Sequence, residues 1–211
     1  MAGGRQLQFD KQQALEQAMC VFWKKGFLGA SLADLTSAMG INKPSLYAAF
    51  GNKEALFVAA VDHYLTRYAS PHLELLKVPG KPLNERLTAY LKSIARLLSD
   101  KSKPGGCFLS VASTEIASNN MPEKALDTII EANSFSENYL KTFLLSEQVQ
   151  GQLKPDADIE QLALIINTFA HGMAAMARNG LPLEQLEAMV PTVVNLLDIQ
   201  NKDNQFREIA E

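Results

Sequence analysis

The chain has 211 residues, 47% of them apolar, with a formal net charge of −3. A chain this long buries a core without staples, and this composition argues for a globular protein and against disorder. Two cysteines, Cys20 and Cys107, cannot build a disulfide framework, and the longest apolar run, residues 162–177, is too interrupted to span a membrane.

The start, MAGGRQLQFDKQQ, has no apolar stretch of the kind a secretory signal needs, so a reducing, cytoplasmic setting is expected. Charge is unevenly placed. Residues 1–70 carry seven Lys/Arg against five Asp/Glu, a net +2, and residues 71–211 carry thirteen against eighteen, a net −5. A slightly basic head on an acidic body fits a small DNA-facing module joined to a larger domain.

Helical spacing dominates from end to end. A first helix is expected over about 10–25, where Ala14, Leu15, Ala18, Met19, Phe22 and Trp23 make one apolar stripe that Gly26 ends. Ser31, with Asp34 three residues on, reads as a capped start of a second helix, and Gly40 breaks it. Asn42 is placed to cap a third, very short helix with Pro44 in its first turn. Asn52 is placed to cap a fourth, over about 53–70. Further helices are expected over about 83–99, 106–118, 122–150, 157–178 and 182–198, separated by Pro and Gly. Residues 200–211 are polar and are expected to fray.

Two stubby helices joined by a glycine turn make a helix-turn-helix, whose second helix can lie in a DNA major groove. Leu35 and Leu46 would then face inward with Phe22, Phe27 and Phe50, leaving Asn42, Lys43, Ser45 and Tyr47 outward. Lys43 can reach a phosphate or the acceptors of guanine, and Ser45 can donate or accept at a base edge. Tyr47 offers a hydroxyl to phosphate and a ring to the thymine methyl. Ser31 and Lys53 stand at helix starts, where unpaired amides suit a phosphate.

The stretch FWKKGFLGASLADLTSAMGINKPSLYAAFGNKEALF resembles the N-terminal DNA-binding domain of the TetR family of bacterial transcriptional regulators. The resemblance rests on Phe22, Gly26, Phe27 and Ser31, then on Gly40, Leu46, Tyr47, Phe50 and Lys53. Pro44 departs from it, standing where the family often has a small residue. The resemblance implies an all-α fold: a three-helix helix-turn-helix domain over 1–52, joined to a helical ligand-binding and dimerisation domain over 53–211. It implies a ligand-responsive regulator, more often a repressor, binding a palindromic duplex operator as a homodimer. The DNA-binding residues would be Ser31, Asn42, Lys43, Pro44, Ser45, Tyr47 and Lys53.

The helix expected over 157–178 is apolar nearly all round, so it wants two buried faces. With the last helix it is expected to pair with its copies in a second chain as a four-helix bundle. The interface residues would be Ile159, Leu162, Ile166, Met173, Leu186, Val190, Val193 and Leu197. The resemblance also implies a pocket for an unidentified small-molecule effector. Its candidate lining is Cys107, Phe108, Val111, Asn133, Phe135, Tyr139, Phe143, Phe169 and His171. Cys107 follows Gly105 and Gly106 at an expected helix start, where the helix dipole favours a thiolate; the other reading is a small buried apolar residue.

Nothing in the chain reads as an enzyme, a metal site or a cofactor site. His63, His72 and His171 are scattered, and neither a phosphate-binding glycine loop nor a G-x-S-x-G is present. No membrane partner is expected. The competing reading is a dimeric binding module of the same fold that has lost contact with DNA.

Overall fold

A computed structural model describes residues 9–197, and within them it contains helices and no strands. The residues expected to fray, 200–211, lie outside the described residues. Asp10 opens the first helix, α1 (Lys11–Gly29), by accepting from the amides of Gln12 at 2.8 Å and Gln13 at 3.1 Å. The helix is interrupted at Gly26, which takes φ +76°, and then runs one turn further than its apolar stripe suggested. α2 (Leu32–Met39) and α3 (Lys43–Phe50) follow, then α4 (Lys53–Tyr64). A single π-helical turn, Leu65–Ala69, ends α4 earlier than the expected residue 70 and leads into the short α5 (Ser70–Leu73). The remaining helices are α6 (Leu83–Leu98), α7 (Phe108–Ser113), α8 (Glu123–Val149), α9 (Ile159–Arg178) and α10 (Leu183–Leu196).

The chain forms two compact units, divided after Tyr68, Cys107 and Ala132. The first therefore holds α1 to α4, α7 and the beginning of α8. This differs from a boundary after residue 52, for a physical reason. The ring of Phe57 on α4 packs edge-on against Phe22 at 5.2 Å and Phe27 at 5.1 Å, both on α1. Phe108 of α7 closes the cluster, 5.8 Å from Phe57 and 5.5 Å from Tyr64. Phe22, Trp23, Phe57 and Phe108 are all fully buried. Each such side chain contributes about 1.5–3 kcal/mol through burial, with a further increment from edge-to-face geometry. Helices that share such a core belong to one unit, wherever the motif ends in sequence.

The second unit is built on α6. One face of it (Leu83, Leu87, Leu91, Ala95, Leu98) is buried in a single apolar cluster with Leu140 and Leu144 of α8, Ala163, Ile166 and Met173 of α9, and Leu186, Val190 and Val194 of α10. Beside that cluster lies a buried ion pair. Arg86 donates from Nη1 to the Leu76 carbonyl at 2.8 Å and to Glu147 Oε1 at 2.9 Å, and its Nη2 meets Glu147 Oε2. The guanidinium also lies over the ring of Phe143, 5.5 Å from its centroid.

Among the described residues no helix is long and apolar enough to cross a membrane, and no group of three or more His, Cys, Asp or Glu is placed to hold a metal ion.

Candidate nucleic-acid interface

Local chemistry explains the shape of the helix-turn-helix. Ser31 and Asp34 form a reciprocal capping box: the serine hydroxyl accepts from the Asp34 amide at 3.0 Å, and the carboxylate accepts from the Ser31 amide at 3.0 Å. Gly40 ends α2 at φ +65°, ψ +27°, a left-handed conformation that a residue with a Cβ adopts only at a cost. The amide of Ile41 then returns to the Thr36 carbonyl at 3.1 Å, closing the helix end. Asn42 caps α3 through Oδ1 to the Ser45 amide at 2.8 Å, with Pro44 in the first turn. Asn52 caps α4 in the same way, accepting from the Ala55 amide at 2.7 Å.

These caps set the outward face of α3. Leu46 is fully buried, which anchors the helix and turns Lys43, Pro44 and Tyr47 to solvent. Tyr47 stands 46% exposed. Asn42 is exposed, but its carbonyl oxygen is engaged in the cap. Ser45 is half-buried.

The two helix-start residues prove more constrained than α3. Besides its cap, the Ser31 hydroxyl donates to Asp34 Oδ2 at 2.7 Å, so it is committed to that carboxylate. The cation at this helix start is Lys25, paired with Asp34 at 2.5 Å. Hydrogen bonds from Lys25 and Ser31 hold the Asp34 carboxyl well below the usual carboxylate range. Lys53 is half-buried, with its ammonium 4.5 Å above the centre of the Phe27 ring. Burial pulls its pKa below the ordinary lysine value, and the Glu115 carboxylate opposes that shift.

Glu115 is the residue that sequence reasoning missed. Its Oε2 accepts from the Phe27 amide at 2.7 Å and its Oε1 from the Leu28 amide at 3.1 Å. A Cβ on Gly26 would overlap this carboxylate, so the glycine makes room for it as well as supplying the positive φ. Nothing local marks a glutamate 88 residues away as a partner; only Gly26 itself hinted at a backbone needing space.

The residues expected to line an effector pocket are divided between the two units. Phe108 is spent in the aromatic core of the first unit, and its half-buried neighbour Val111 lies on the same short helix. In the second unit, Cys107, Tyr139, Phe143 and Phe169 pack partly buried against the main apolar cluster, while Asn133 is half-buried. Phe135 is 51% exposed and His171 is on the outward side of α9. A cleft of about 540 Å³ in the second unit is lined by Val78, Pro79, Arg86, Glu147 and Gln152 among others, and of the nine expected residues only Phe143 reaches it.

The expected interface residues lie mostly inside their own chain. Ile166, Met173, Leu186, Val190 and Leu197 are buried within their own chain, and Ile159, Leu162 and Val193 are half-buried. α9 does have two apolar faces, but the interior takes the one holding Ala163, Ile166 and Met173. The opposite face presents Leu164 (56% exposed), Ile165 (43%) and Met176 (45%), with exposed Gly172 and Ala175 between them.

Comparison with known proteins agrees with this geometry. Residues 14–60 match the profile of the bacterial regulatory proteins of the tetR family, and residues 84–190 match that of the tetracyclin repressor-like C-terminal domain. The chain is 35% identical over 193 residues to the HTH-type transcriptional repressor ComR of Escherichia coli, covering 92% of this chain and 91% of ComR. It is 32% identical over 184 residues to the repressor BdcR of the same organism, covering 87% and 86%. Among solved structures, a cysteine mutant of the regulator CifR in complex with 26-bp double-strand operator DNA superposes with a TM-score of 0.81 at 32% identity. That match covers 90% of this chain and 98% of CifR.

Proposed function

The chain belongs to the TetR family of bacterial transcriptional regulators, and from that premise we propose that it represses transcription as a two-fold dimer on a palindromic operator. It is a DNA-binding regulator and not an enzyme. The observation that carries the reading is the outward face of α3: two capped, glycine-jointed helices bury Leu46 and leave Lys43, Pro44 and Tyr47 exposed on a helix short enough to enter a major groove. Lys43, Tyr47 and the half-buried Ser45 are the base-reading candidates, with the amide of Asn42 beside them. Lys53 serves the backbone, and beside the start of α2 the exposed Lys25, rather than the Ser31 hydroxyl held by Asp34, offers charge to phosphate.

The dimer contact is assigned to the exposed face of α9. Leu164, Ile165, Gly172, Ala175 and Met176 recur at helical spacing and form an apolar stripe with small residues at its middle, which suits close helix–helix approach. A small-molecule effector is assigned to the second unit, where Cys107, Tyr139, Phe143 and Phe169 lie partly buried against one cluster. It would release DNA by binding the DNA-incompetent arrangement more tightly than the competent one.

Selection from random duplexes, followed by sedimentation of the protein, tests the reading. The full chain should enrich a two-fold symmetric sequence with half-sites one helical turn, or a multiple of it, apart, and should sediment as a dimer at micromolar concentration. Ile165→Glu places a charge on the exposed stripe; it should sediment as a monomer, keep its helix content and lose the symmetric enrichment. Random recovery by the wild-type chain, or a monomeric wild type, contradicts the proposal.

A further inference from the structure

We propose that Glu115 is a positioning residue for DNA recognition, clasping the backbone where α1 turns towards α2 and fixing the seat of Lys53. The inference rests on the DNA-binding reading above and extends it to a residue outside the helix-turn-helix.

The break at Gly26 strips the next amides of their helical acceptors, and the two that follow both point at one carboxylate. Each oxygen takes one of them, Phe27 at 2.7 Å and Leu28 at 3.1 Å. Consecutive amides converging on an anion make a rigid seat, and the missing Cβ of Gly26 is what lets the carboxylate in. Three residues beyond Leu28 stands Ser31, the cap of α2, so the clasp determines where that helix starts. It also fixes the Phe27 ring, on whose face the Lys53 ammonium rests at 4.5 Å. A single carboxylate thus holds both the start of α2 and the platform under the lysine at the start of α4.

This arrangement has an electrostatic cost for DNA binding. A negative charge beside a cation that serves phosphate weakens attraction to any duplex. Glu115 is therefore expected to favour geometry over raw affinity, and its removal should separate specific from non-specific binding. A residue with a purely structural role would not do this: it would lower both kinds of binding together.

The test compares the full wild-type chain with Glu115→Gln and Glu115→Ala. Affinity is measured for the selected operator duplex and for a scrambled duplex of equal length, and amide exchange is followed at residues 27–28. Loss of hydrogen bonds to a charged acceptor should lower the operator-to-scrambled affinity ratio of Glu115→Ala by about tenfold or more. Glu115→Gln, which keeps one acceptor oxygen, should fall between it and wild type, and exchange at Phe27 and Leu28 should quicken in both variants. Binding to the scrambled duplex should hold steady or strengthen. Should Glu115→Ala fold poorly, the ratio and exchange of Glu115→Gln decide the matter. Faster exchange with an unchanged ratio, or unchanged exchange, overturns the proposal. A wild-type chain that does not distinguish the two duplexes overturns the DNA-binding reading itself, and the role of Glu115 with it.

Discussion

Replacing Arg86 with Ala destabilises the second unit by about 3–5 kcal/mol, because it strands a buried carboxylate. Glu147 is 3% exposed, and Arg86 supplies hydrogen bonds to both of its oxygens. Without the guanidinium, the Glu147 carboxylate loses its counter-ion and both hydrogen bonds, and the Leu76 carbonyl loses its donor. The pair itself is a different matter. Two charges taken out of water gain little net from each other, so replacing both with apolar residues of similar volume should be nearly neutral. The expected result is a large drop in urea midpoint for Arg86→Ala and an unfolding free energy within ~1 kcal/mol of wild type for Arg86→Met with Glu147→Leu. A double variant as unstable as the single one would mean that the pair, and not the stranded charge, holds this region together.

Gly26→Ala should be the most damaging small substitution in the first unit. The residue sits at φ +76°, where a side chain costs about 1–2 kcal/mol. The new methyl would also displace the Glu115 carboxylate, leaving the Phe27 and Leu28 amides without their acceptors at about 1–3 kcal/mol each. A total of about 3 kcal/mol or more is expected. Trp23 is the chain's one tryptophan, fully buried and edge-on to Tyr64 at 5.1 Å, so its fluorescence reports unfolding of this unit directly. Gly29→Ala is the control. A Cβ there meets Lys25 at an ordinary 3.7 Å and its φ is not positive, so alanine's better helix propensity should leave stability unchanged or slightly raised. Equal effects at the two glycines would contradict the account of Gly26.

The contrast between those glycines shows what the sequence could and could not reveal. Caps and turns are local chemistry. Ser31 with Asp34, Asn42, Asn52 and Gly40 could be read because each acts on amides or carbonyls within a few residues of itself. The helix order and the outward position of Lys43 and Tyr47 followed from the same local rules. Long-range partners left no such trace. Glu115 on the far side of a tertiary contact, Lys25 across from Asp34, and Arg86 opposite Glu147 look like ordinary solvated charges in one dimension. The all-round apolarity of α9 reflects two apolar faces, one of which the chain's own core buries. Periodicity alone does not say which face the chain's own core takes, and so the expected interface residues fell mostly on the interior one. The compact units divide the chain elsewhere than the expected boundary for a related reason: aromatic packing of Phe57 and Phe108, not the end of a motif, decides which helices pack together.

The central claim is that the capped helix-turn-helix holds its cations against the phosphate backbone of a duplex. The slope of log affinity against log salt concentration, measured on one operator duplex for wild type and Lys53→Ala, tests it most directly. Wild-type affinity should fall steeply and linearly, and Lys53→Ala should bind more weakly with a slope shallower by about one. Binding that ignores salt, or a Lys53→Ala slope identical to wild type, would contradict it.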